Sequence, residues 1–226
     1  MEPLSQRDQK LQFILRHAAR IFSEKTYHST SMRDISRATG VSLAGLYHYC
    51  KSKEELLFLI QDNCFGRVTE RLEERLRGIE DPEQKLRIFI DNHLAFFAAN
   101  MAEMKVLSHE AESLAGDLRL QVTGRKESYT RRAREILREV QNAKSRDTAI
   151  DLTVATYALF GMMNWIYNWY KPSGKLAVAE LVDNVTRLYL TGFVNTTKGT
   201  PLNWSGHSPA EGFSVWRESD DKNAAN

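Results

Sequence analysis

Between Ser31 and Lys53 the chain gathers Ser31, Arg33, Ser42, Leu43, Ala44, Tyr47, His48, Lys51 and Lys53. The set holds hydroxyls, cations, a phenol and small apolar side chains. Groups of this kind contact polyanions: Tyr, Lys and Arg position a helix on phosphate oxygens, while small residues let it approach base edges. Bond-making chemistry is not indicated. His17, His28, His48, His93, His109 and His207 are scattered, no metal-spaced cluster stands out, and no nucleophile lies beside a base. An enzyme is therefore not expected, and neither is a bound cofactor.

The elements that must position these residues are legible in their caps. Ser31 can cap a helix over Met32–Thr39, with Asp34 reaching back to the Ser31 amide, and Gly40 suits the residue that closes it. Ser42 is the natural N-cap of a short helix, Leu43–Tyr49, and Ser52-Lys-Glu-Glu55 opens a longer one, Lys53–Gly78. Two short helices joined by Thr39-Gly40-Val41-Ser42 form a helix-turn-helix signature. Ile35, Ala38, Val41 and Leu46 would be its apolar wedge, leaving the outer face of the third helix for DNA. The competing reading is a helical hairpin inside an all-α core.

Charge is distributed in keeping with the first reading. Residues 1–53 hold nine Lys/Arg against four acids, and the remainder, from chain totals of 31 and 29, holds 22 against 25. The basic N-terminal quarter suits a polyanion and the acidic remainder does not. "MEPLSQRDQK" carries charges where a signal peptide would be apolar, and Cys50 and Cys64 have no framework spacing. A cytoplasmic, reducing location is expected.

No stretch reads as strand, and a 3.6-residue period recurs throughout. Nine helices are expected in an all-α fold: Arg7–Lys25, the three above, then Asp81–Asn100, Ala102–Leu114, Leu118–Gln141, Thr148–Tyr170 and Leu176–Val194. The domain reading is 1–52 for a DNA-binding head, 53–197 for a body and 198–226 for a disordered tail, with Trp204, Phe213 and Trp216 leaving open that part of the tail docks. The eighth helix is apolar almost all round and must be buried on every side, partly against a partner. Thr153, Thr156, Asn164 and Asn168 interrupt it, which argues against a membrane span.

"TSMRDISRATGVSLAGLYHYCKSKEELL" resembles the DNA-binding head of the TetR (tetracycline repressor) family, including the whole Gly-Val-Ser…Leu-Tyr turn. Ser36 and Cys50 stand where Ala and Phe are usual, and Thr26 replaces the usual Gly after the first helix. The resemblance implies a three-helix head, a helical ligand-binding body, and a homodimer joined through Thr148–Tyr170 and Leu176–Val194 that binds palindromic operator DNA. "NWIYNWYKPSG" before the last helix further resembles the members that regulate fatty-acid or steroid degradation and respond to acyl-CoA thioesters. A regulator of an efflux pump and a DNA-dependent interaction protein are the alternatives.

The candidate ligand contacts are Phe89, His93, Phe97, Arg125, Tyr129, Arg132, Tyr157, Phe160, Asn164, Trp165 and Asn168. Arg125 and Arg132 fall on the apolar line of the seventh helix with Leu118, Val122, Tyr129 and Ile136, while Lys126 lies off it. An unpaired charge there would be costly, so each arginine either pairs with an acid such as Glu110 or Glu112 or meets an anionic ligand. His93 is either a satisfied core residue or a ligand contact.

Overall fold

In the computed structural model, residues 5–110, 112–143 and 150–195 are described. Among them the chain forms α1 (Gln6–Lys25), α2 (Met32–Thr39), α3 (Leu43–Tyr47), α4 (Lys53–Leu76), α5 (Pro82–Ala99), α6 (Met101–His109), α7 (Gly116–Ala143), α8 (Leu152–Asn164), a 3₁₀ turn over Trp165–Asn168, and α9 (Val178–Asn195), with no strand. This is the all-α, nine-helix fold that the periodicity indicates. The tail from 198, and Thr148 and Ala149 at the start of the expected eighth helix, lie outside the described residues.

Local chemistry sets the helix starts. Ser5, Ser31, Ser42, Ser52, Asp81 and Asp151 each cap a helix by accepting from an amide one turn on. At Ser31 the box is complete: its hydroxyl accepts from Asp34 N at 3.2 Å and Asp34 Oδ2 accepts from Ser31 N at 3.0 Å. The Ser31 hydroxyl also donates to Asp34 Oδ2 at 2.5 Å, and that bond first, then the amide bond, holds the Asp34 carboxyl below its usual range.

Two apolar clusters form. One belongs to the head: Ile14, Ala18, Phe22, Ile35 and Leu46 pack on Leu56, Leu57 and Ile60 of α4 and on Val106, Leu114 and Val122 from α6, the following turn and α7. The other fills the body among α4, α5, α7, α8 and α9, with Phe65 touching both. Each fully buried large side chain contributes about 1.5–3 kcal/mol, so head and body share stabilising surface.

Three expectations are corrected. Ala38 is exposed and is no part of the wedge; its place is taken by Thr39, whose hydroxyl donates to Ile35 O at 2.8 Å and accepts from Val41 N at 3.3 Å. α6 stops at His109, because Glu110 leaves the helix to meet the head. α8 stops at Asn164 rather than Tyr170: the poor helix formers Trp165–Asn168 tighten into a 3₁₀ turn that buries Ile166, and Pro172 disfavours helix just beyond. In one chain part of α8 stays open: Val154 and Tyr157 are each 61% exposed.

Thr26 has a backbone that suits glycine. It sits at φ 69°, ψ 156°, a region reserved almost wholly for glycine. Relief of that strain outweighs the extra freedom of an unfolded glycine, so Thr26→Gly is expected to stabilise the chain by about 1 kcal/mol. Thermal or urea unfolding measures it; an unchanged or lower midpoint would show that the strain is compensated locally.

Candidate functional site

The reading face of the head is built by small polar devices. Gly40, at φ 66°, ends α2, and Ser36 Oγ donates to Val41 O at 2.6 Å, so the serine that stands for alanine pins the turn. Ser42 Oγ accepts from Gly45 N at 3.1 Å. A Cβ on Gly45 would lie 2.9 Å from Val41 Cγ1, so the turn and α3 approach too closely for any larger residue. Leu46 is fully buried and turns the opposite face of α3 outward.

That outward face carries Ala44, Tyr47 and His48, all exposed, with Leu43 half-buried; Arg33 and Lys51 are exposed nearby. The structure gives the other three candidates internal work. Ser31 and Ser42 are caps. Lys53 turns inward: its Nζ donates to Tyr27 O at 2.9 Å and Thr30 O at 2.8 Å and stands 4.2 Å from the Tyr27 ring centre. Lys53, expected just beyond α3 as a DNA contact, is corrected to an internal strut. Cys50 packs in the core with its Sγ 3.6 Å from Leu46 O, and burial pushes its thiol up to about 11. Cys64 is likewise free and buried, its thiol pushed up to about 12.

In the body, α4 through Phe65, with α5, α6, α7, α8 and the 3₁₀ turn, borders a cavity of about 440 Å³, within the roughly 300–1,000 Å³ range of small-molecule sites. Seven candidates line it: His93, Phe97, Tyr129, Tyr157, Phe160, Asn164 and Trp165. Phe89 stands behind them, its ring 5.2 Å from Tyr129 and 5.9 Å from Phe160. Asn168 is exposed and away from the wall.

The arginines are also absent from the wall. Arg125 Nε donates to Asp62 Oδ1 at 2.9 Å, and Arg132 Nε to Glu73 Oε1 at 2.9 Å. They do pair with acids, but with acids of α4 rather than Glu110 or Glu112, because the edge of the α7 stripe abuts α4. The cation at the cavity is Lys126. Sequence reasoning passed over it, although it lies three and four residues from Tyr129 and Thr130, the spacing of one helix face. Met104, Leu107 and Ser108 of α6 were also missed, and they too share a face.

A neutral polar trio interrupts the aromatic wall. His93 Nε2 faces Asn164 Oδ1 at 3.1 Å and Nδ1 faces Tyr129 OH at 3.4 Å. With the imidazole proton on Nε2, His93 donates to Asn164 and accepts from Tyr129. Burial, opposed by the Asn164 bond, pushes the His93 pKa down to about 3, and burial raises that of Tyr129. Both are neutral at physiological pH. Among the described residues, no group of three or more His, Cys, Asp or Glu could hold a metal ion, and no helix is long and apolar enough to cross a membrane.

Both parts of the chain, the helix-turn-helix and the body, match known families. Residues 14–60 match the family "Bacterial regulatory proteins, tetR family" and residues 80–193 match "Tetracyclin repressor-like, C-terminal domain". The chain is similar to the fatty acid metabolism regulator protein of Bacillus subtilis (strain 168), 24% identical over 85% of this chain and all of that protein. Among solved structures it resembles the TetR family transcriptional regulator PfmR from Thermus thermophilus, 31% identical over 79% of this chain and 97% of the other, TM-score 0.72. It also resembles AibR in complex with isovaleryl coenzyme A and operator DNA, 29% identical over the same shares, TM-score 0.71.

The buried imidazole generates an acid-stability prediction. Unfolded histidine titrates near 6.5, whereas folded His93 refuses the proton down to about 3. Its contribution is full above pH ~6.5 and is lost as pH falls toward the folded value, amounting to about 2 kcal/mol by pH 5. Glu103, whose carboxyl is raised by burial, acts in the opposite sense, so the comparison is with His93→Gln. Urea unfolding of both chains at pH 7 and pH 5 is expected to show most of that loss only in the parent; equal losses would mean that His93 takes up its proton without unfolding.

Proposed function

The chain belongs to the TetR family of bacterial regulatory proteins, and from that premise we propose that it is a repressor whose operator affinity is lowered by an acyl-CoA thioester. It is a DNA-binding transcriptional regulator, related to regulators of fatty-acid metabolism, and not an enzyme.

One observation carries the effector reading. An aromatic cavity of about 440 Å³ holds a neutral polar trio inside and a cation, Lys126, on its wall. Apolar lining suits an acyl chain, neutral donors suit a thioester carbonyl, and the exposed Lys126 suits the coenzyme's phosphates. Arg125 and Arg132 are withdrawn from that last role because each already has a carboxylate partner. The complex of AibR with isovaleryl coenzyme A supports the same ligand class.

The working form is a homodimer. Val154 and Tyr157 on α8 and Leu188 on α9 are 61%, 61% and 68% exposed in one chain, and a second copy would cover them. Two-fold pairing would present two copies of α3 to half-sites one turn apart, about 34–36 Å centre to centre. The domain reading follows, with residues 1–52 reading DNA and 53–197 sensing and dimerising. Arg33, Leu43, Ala44, Tyr47, His48 and Lys51 are the DNA-facing residues, Ser31 and Ser42 shaping that face from within. The ligand would act by changing the spacing of the heads, and a coupling of about 1–3 kcal/mol is enough for a 5–150-fold loss of affinity.

Capture of fragments of its own genome by the purified protein, with and without acyl-CoA thioesters of graded length, tests the reading. Palindromic sites beside lipid-degradation genes, released by a thioester, are expected. Sites beside a transporter gene, indifferent to every thioester, would overturn the effector while leaving the family. On the recovered site Tyr47→Ala is expected to weaken binding by about 1–3 kcal/mol and Lys51→Ala to reduce the salt dependence by about one phosphate contact. Lys126→Glu is expected to weaken thioester binding alone, and unchanged thioester affinity would remove Lys126 from the site.

A further inference from the structure

The helix that forms one wall of the cavity ends on a side chain buried against the head. Met104, Leu107 and Ser108 of α6 line the cavity, and Glu110, immediately after the helix, is 7% exposed. Glu110 Oε1 accepts from the backbone amide of Tyr27 at 2.9 Å, in the loop between α1 and α2. Its other oxygen accepts from Ser113 Oγ at 2.7 Å, and its carbonyl accepts from Gln61 Nε2 of α4 at 3.3 Å. The Tyr27 bond passes from the cavity helix to the head without involving α4.

This bond is hard to stretch passively. Tyr27 and Glu110 are both buried, and an N–H left there without a partner is costly. Movement of Glu110 therefore breaks this bond and frees the loop. The loop is tied in turn to α2: Thr30 Oγ1 donates to Thr26 O at 2.8 Å, and Ser31 caps α2, on which α3 packs. Thr26, one residue before Tyr27, holds the glycine-like backbone described above, so a freed loop has relaxed conformations to enter.

We propose that Glu110 is the positioning residue that reports cavity occupancy to the head: a group filling the cavity displaces Leu107 and Ser108, shifts the end of α6, and resets α2 and α3 through the Tyr27 amide. The proposal rests on the cavity being the effector site. The competing route is α4, which lines the cavity through Phe65 and is tied to α7 by Arg125–Asp62 and Arg132–Glu73.

The test plugs the cavity without needing the natural effector. Gly161 lines it, and a Cβ there meets nothing within 4 Å, so Gly161→Phe has room for a ring at the cavity mouth, with the dimer checked by its mass in solution. On the recovered operator the plug is expected to lower the affinity of the full chain about tenfold. In Glu110→Ala the same plug is expected to change it by less than about twofold, and Glu110→Gln, which keeps the acceptor oxygen, is expected to respond like the parent. Equal weakening with and without Glu110 would overturn the latch and leave the sensor reading intact. No effect of the plug in either chain would overturn both. Hydrogen exchange at the Tyr27 amide, read in chains that retain Glu110, is the second measurement. Exchange that speeds up with the plug supports the latch, and unchanged protection overturns it even if Glu110→Ala does not fold.

Discussion

Lys53, the first residue of α4, has its ammonium between the carbonyls of Tyr27 and Thr30 and against the face of the Tyr27 ring. A cation–π contact and two charge-assisted hydrogen bonds, partly shielded from water, hold the α1–α2 loop to the helix that leads into the body. Glu110 holds the same loop from the other side through the Tyr27 amide. The loop thus carries a cation on its carbonyls and a carboxylate on an amide, the only pairing of charge with backbone polarity that satisfies both. The orientation of α2, the turn and α3 follows from where those two side chains hold residues 26–30.

The strain at Thr26 makes sense in this setting. A threonine at φ 69° persists only where its surroundings over-determine the backbone. Thr30 bonds the Thr26 carbonyl, while Lys53 and Glu110 hold Tyr27 and Thr30. The cost of the departure from the usual glycine is stored in the loop. Ser36, another departure, has the opposite effect: its hydroxyl adds a bond to the turn.

The body separates greasy volume from charge. Aromatic rings and a neutral imidazole line the cavity, Lys126 is its cation, and Arg125 and Arg132 of α7 are paired with carboxylates of α4. Exposed ion pairs of this kind contribute little stability, about 0–1 kcal/mol each. Their effect is on position: they fasten α7 to α4 and keep guanidinium groups out of a space that burial would make costly for them.

Sequence alone determined the helices, their caps and the helix-turn-helix, because those depend on contacts within a few residues: a serine one turn before an acid, a glycine where the backbone turns left-handed, apolar positions repeating every 3.6 residues. It also located most of the cavity's aromatic wall, since side chains on one helix face must meet a common neighbour. What only the tertiary structure decided was the partner of each long, charged side chain. Lys53 reads as a DNA contact by position and is an internal strut; Arg125 and Arg132 read as ligand contacts and are paired with α4; Lys126 reads as surface and reaches the cavity; Glu110 reads as the seventh helix's counter-charge and binds the head. A flexible charged side chain can sweep across neighbouring faces of its helix, and the carbonyl, carboxylate or amide that stops it comes from residues as many as 83 positions away.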